Sequence, residues 1–123
     1  MPSLNKVLLI GNLGKDPEMR YAPSGTAVCN FSMATTERFT KDGEKKQETE
    51  WHDITVFGKS AEFAGQYFAK GMAVLVEGRI KTNSWETNEG EKKSRKVIIA
   101  DRVQGMGPNK EKEKEANEDD VPF

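Results

Sequence analysis

"TEWHDITVFGKSAEFAGQYFAKG", residues 49–71, changes its period half-way along. Up to Phe57, apolar and polar residues alternate as in a half-buried strand. From Ser60 onward, Phe63, Ala64, Tyr67 and Phe68 fall on one face of a helix. Ser60 is placed to cap that helix and Gly71 to end it. Working outward, "NKVLLIGNLG" (5–14) reads as a first strand. Its run Val7–Ile10 is apolar on both faces, so both sides are expected to be covered. "DPEMRYAPSGTA" (16–27) reads as a turn-rich connection broken by Pro17, Pro23 and Ser24-Gly25. "AVCNFSMATTERF" (27–39) and "QETEWHDITVFG" (47–58) read as a long hairpin bending at Asp42-Gly43. After the helix, "MAVLVEGRIKTNSWET" (72–87) and "SRKVIIADRVQGM" (94–106) read as a second hairpin, bent near Glu89-Gly90.

The order is strand, strand, strand, helix, strand, strand. It predicts an all-β fold: a five-stranded, mainly antiparallel OB-fold barrel with one α-helix between strands 3 and 4. At 123 residues the chain is long enough for one compact domain. With 35% hydrophobic and 32% charged residues, a small domain plus a solvated segment fits the balance. Residues 1–105 form the domain and are weakly basic, whereas residues 106–123 are acidic. Cys29 is the only cysteine, which excludes an intrachain disulfide and points to the reducing cytoplasm. The opening "MPSLNKVLLIGNLG" has too short an apolar run for a signal peptide or a membrane span.

The strand before the helix poses a question. Ile54 and Val56 mark its core side, yet Trp51 and Phe57 share the other side with Asp53 and Thr55. The strand after the helix repeats the pattern, with Leu75, Glu77, Arg79, Lys81 and Trp85 on one side. Such rings are either packing beneath another element or platforms for unpaired bases. Burying a ring stabilises by roughly 1.5–3 kcal/mol, and stacking a base on one contributes roughly 1–3 kcal/mol. The bends favour stacking. Lys41, Lys45 and Lys46 surround the first, and Lys92, Lys93, Arg95 and Lys96 follow the second. Cations that neutralise phosphates beside rings that hold bases suit single-stranded nucleic acid. Phe39 is a further candidate ring, although it shares parity with both Phe31 and Glu37.

These residues carry a resemblance. "NKVLLIGNLGKDPEMRY", "TEWHDITVFGKSAEFAGQYFAKG" and the closing "DDVPF" are similar to the corresponding stretches of bacterial single-stranded DNA-binding proteins. The resemblance implies an OB-fold that assembles as a homotetramer and binds single-stranded DNA in replication, recombination and repair. It places Trp51, Phe57 and Trp85 at base-stacking positions, and Phe39 where many members carry Trp. It also implies that the tip Glu118, Asp119, Asp120, Val121, Pro122 and Phe123 docks partner proteins. Chemistry agrees: Phe123 can fill an apolar pocket while the acids meet a basic rim. Between domain and tip, residues 106–117 form a short charged linker rich in Lys and Glu, and the acidic tail carrying the charge run "NKEKEKEANEDD" (109–120) is expected to be disordered.

Enzymatic readings fare poorly. "GKS" at 58–60 resembles the end of a phosphate-binding loop, but Asp53 stands where that loop requires glycine. One His and one Cys cannot assemble a zinc site or a His-based nucleophile pair, so no cofactor is expected. His52, beside Ile54 and Val56, reads as structural. The rival to DNA binding is an OB-fold adaptor that mainly recruits proteins.

Overall fold

The computed structural model describes residues 1–106. Six strands and one helix follow in the order β1 (Val7–Leu13), β2 (Glu18–Tyr21), β3 (Ala27–Lys41), β4 (Glu44–Phe57), α1 (Lys59–Tyr67), β5 (Ala73–Glu86) and β6 (Lys92–Gly105). The sheet runs β1-β5-β6-β4-β3-β2 and closes where β1 also pairs with β3. The closed ring therefore holds five strands, and β2 hangs outside it on β3. All pairings are antiparallel except β4 with β6, which runs parallel over Ile54–Val56 against Ile98–Ala100.

The barrel was expected, but the helix lies between the fourth and fifth strands, not the third and fourth. The extra strand is β2. It has four residues, is bracketed by Pro17 and Pro23, and is too short to show alternation. Its hydrogen-bonding comes from β3, opposite which Glu18 pairs with Asn30 and Tyr21 with Ala27. Gly25, at φ 91°, turns the chain between them, and its N–H donates to the carbonyl of Ala22 at 2.8 Å.

Helix α1 also starts differently. Gly58, at φ 71°, is the N-cap, and no side chain caps the helix, so Ser60 does not. At the other end Phe68 is already extended, before Gly71 is reached. The buried face is Ala61 and Ala64, continued by Phe68. Phe63 and Tyr67, expected on that face, lie at its margin and stay exposed. Phe68 packs edge-on to Phe31, with ring centroids 5.8 Å apart.

The core inside the ring is Leu13, Phe31, Met33, Ile54, Val56, Val74, Val76 and Ile98, joined by Ala61 and Ala64 of α1. Two glycines allow closure. A Cβ on Gly11 would strike the carbonyl oxygen of Ala34, and one on Gly78 that of Ile99. Gly78 sits beside a β-bulge, where Glu77 pairs with Arg102 and Gly78 with Ala100, so Asp101 is the extra residue.

Two four-residue apolar stretches, Val7–Ile10 and Val97–Ala100, behave differently. Val97–Ala100 is buried within the chain. In β1, Val7 and Leu9 pack on the core while Leu8 and Ile10 are 61% and 55% exposed. Cys29 is fully buried, and burial pushes its thiol pKa up. An aromatic disulfide reagent at pH 8 is expected to leave it unmodified in the folded protein and to titrate one thiol in denaturant. Rapid reaction without denaturant would contradict that placement.

Candidate nucleic-acid interface

The outer face of the barrel carries a groove of about 880 Å³. Strands β4 and β6 form its floor and β5 one wall. Strand β2 and the start of β3 form the other wall. The parity of β4 builds the floor. Ile54 and Val56 point into the core, so Trp51, Asp53, Thr55 and Phe57 point out. Phe57 (48% exposed) and Trp85 (47%) both line the groove.

Trp51 continues the same face up the first hairpin and is 59% exposed. Its ring lies over Gly14: a Cβ there would come within 2.5 Å of the indole Cζ3. Backbone thus supports one side of the ring and solvent meets the other. The three rings are open to solvent in the monomer. Phe39 is not brought to them. Its pairing with Lys46 puts it on the side of His52, away from Trp51. His52 itself is part-buried, with Nε2 2.9 Å from the Thr35 hydroxyl of the neighbouring strand.

The expected cations divide by register. Lys81 and Arg95 line the groove, and Lys93, opposite Trp85, shares their face. Arg79 shares that parity but is tied to Asp101 at 3.4 Å. Lys45 falls on the Trp51 side of the first hairpin. Lys41 and Lys46 fall on the opposite side, as do Lys92 and Lys96 on the second hairpin.

The groove also contains residues that sequence reading missed: Lys15, Glu18, Arg20, Tyr21 and Asn30. Most arrive on or beside β2. The adjacent Arg20-Tyr21 in "MRYAPSG" is the only hint, and proline and glycine conceal the strand that presents it. Arg38, on the Trp51 side, is another.

Electrostatics follow from these partners. Arg95 is held by Asp53, with Nη2 at 2.8 Å and Nε at 3.0 Å from Oδ2. Thr55 donates to Asn30 at 2.8 Å, which ties the floor to the wall. Lys15, Arg20, Lys81 and Lys93 hold no ion pair among the described residues. Their charge is free to meet an anion. No group of metal-ligating side chains occurs among the described residues, and none of their helices is long and apolar enough to cross a membrane.

The sequence profile of the Single-strand binding protein family matches residues 4–106. The chain belongs to that family. Single-stranded DNA-binding proteins of Neisseria meningitidis serogroup A and serogroup B are each 47% identical over 110 residues. That alignment covers 89% of this chain and 63% of theirs, so the chain spans under two thirds of their length. Solved family structures share the fold. A deletion mutant of the single-stranded DNA binding protein from Thermus aquaticus superposes with TM-score 0.76 at 34% identity. It covers 86% of this chain and 52% of that one. The Plasmodium falciparum SSB in complex with ssDNA gives TM-score 0.75 at 32% identity, over 84% of this chain and 93% of that one. Family membership thus rests on residues 4–106, the part that holds the barrel and groove. The expected linker and the tip 118–123 lie outside the described residues.

Proposed function

We propose that this chain binds single-stranded DNA without regard to base sequence, as a binding protein and not an enzyme. The observation that carries the reading is the shared outer face of β4 and β5. Phe57 and Trp85 stand exposed in one groove, beside cations with no internal partner. Unpaired bases lie flat on Trp51, Phe57 and Trp85. Phosphates run past Lys15, Arg20, Lys81 and Lys93. Lys45 and Arg38 extend this track along the first hairpin. Phe39, Lys41, Lys46, Lys92 and Lys96, on the opposite faces, serve a strand that wraps around the hairpins. The match with a family member solved with ssDNA supports single-strand binding.

The assembly is a homotetramer in the cytoplasm. Leu8 and Ile10 on β1 support self-association, because both aliphatic side chains stand open on one face of a stretch, Val7–Gly11, that pairs with β5 but not with β3. Residues 118–123 recruit proteins of replication, recombination and repair, and several tips per assembly raise avidity.

Titration with oligo-dT, followed by intrinsic fluorescence and by mass, tests the reading. Indole emission is expected to be quenched, with affinity falling with salt at a slope of about −0.7 per phosphate neutralised. Preference for duplex, or unquenched tryptophans at saturation, would refute it.

A further inference from the structure

Among the β4 residues on the outer face, from Lys45 to Phe57, Asp53 is the one carboxylate, and it stands between Trp51 and Phe57. A DNA strand lying on those rings has to pass over it. Its Oδ2 accepts from both Nε and Nη2 of Arg95. The β4–β6 ladder is confined to Ile54–Val56 and Ile98–Ala100, so this ion pair lies just beyond it, where the hairpin arms part. Both side chains face solvent, at 44% and 57% exposure. The guanidinium edge that grips this carboxylate is the edge that would otherwise grip a phosphate.

We infer that Asp53 is an internal counter-ion that withholds Arg95 from the DNA backbone and so sets the affinity and salt dependence of strand binding. The inference rests on the single-stranded DNA reading above. A phosphate that takes Arg95 must displace Asp53 and leave an unneutralised carboxylate beside it. Like-charge repulsion then opposes the exchange. Lys81 and Arg20, which line the same groove, have no such partner among the described residues, so the restraint falls on Arg95 and not on them. It lowers the hold on DNA while leaving the stacking platforms intact, which eases release of the strand.

Asp53→Asn keeps the shape and removes the charge. Labelled oligo-dT at low salt is expected to bind it roughly 3–10-fold more tightly, with a salt slope steeper by about 0.7, the signature of one more phosphate contact. Asp53→Ser, a second neutral variant, should show the same gain, and thermal melting checks that both fold. Arg95→Gln in the Asp53→Asn background should abolish the gain, whereas Arg95→Gln alone leaves the Asp53 carboxylate unneutralised and should weaken binding. If wild type binds oligo-dT and the neutral variants bind with equal or lower affinity at an unchanged slope, the inference fails and the proposed function stands. If wild type does not bind oligo-dT, both fail.

Discussion

Trp85→Ala is expected to weaken oligo-dT binding by about tenfold or more, and Trp51→Ala with Trp85→Ala by about a hundredfold, at unchanged salt slope. Each ring offers an open face to solvent in the monomer, and neither belongs to the core. Removing one therefore deletes a stacking platform of roughly 1–3 kcal/mol and leaves folding almost untouched. Phosphate neutralisation is a separate contribution, carried by Lys81, Arg20 and their neighbours, so the dependence on salt should persist. Binding is best followed by anisotropy of a labelled strand, because the substitutions remove the intrinsic fluorophores. Phe39→Ala makes the contrast. Its ring lies on the other side of the first hairpin and is part-buried, so its loss should cost less. Wild-type affinity in the double variant would show that the rings are packing surfaces for something else. A parallel loss of affinity and melting temperature would show the same.

What was legible in the sequence depended on period and length. β4 and β5 are long, and their alternation is strict enough that the pairing of Ile54 and Val56 inward with Trp51 and Phe57 outward could be read directly. The lysines at the bends were visible too, but which side each one takes was not. That is decided by cross-strand register, and a shift of one residue exchanges Lys45 with Lys46. β2 was hidden because a four-residue strand takes its stability from its partner β3, while Pro17 and Pro23 signal the opposite of a strand. With it went Arg20 and Tyr21. The Asp53–Arg95 pair was equally out of reach. Its members are 42 residues apart and meet only because β4 and β6 run parallel, a pairing that local pattern does not announce. The start of α1 differs from the expectation because Ser60 is a good cap in isolation, whereas the chain leaves β4 through Gly58 at positive φ and the helix is capped two residues earlier.

Gly78→Ala is expected to destabilise the fold by about 2–4 kcal/mol and to lower the melting temperature by roughly 10 °C or more. The reason is closure of the barrel. At Gly78 the backbone of β6 comes so close that an added Cβ strikes the Ile99 carbonyl oxygen. It would also lie 2.8 Å from the carbonyl carbon and 2.9 Å from Ala100 Cα. All three atoms are main chain. No rotamer change relieves the clash, and β5 and β6 have to move apart at the bulge where Asp101 is accommodated. Gly65→Ala separates this from a general effect of glycine. There the added Cβ would meet Met19 Sδ at 3.1 Å and Cγ at 3.3 Å. A thioether can swing aside, and alanine is favoured over glycine in a helix by roughly 0.8–1 kcal/mol. Gly65→Ala should therefore melt within a few degrees of wild type. Circular dichroism melts of both variants decide the matter. Equal melting temperatures would mean that β5 and β6 approach less closely at Gly78 than described. Because β5 carries Lys81 and Trp85 a few residues beyond Gly78, the same displacement should also weaken oligo-dT binding at temperatures where Gly78→Ala remains folded. Gly65→Ala, which leaves that arm in place, should bind as wild type does.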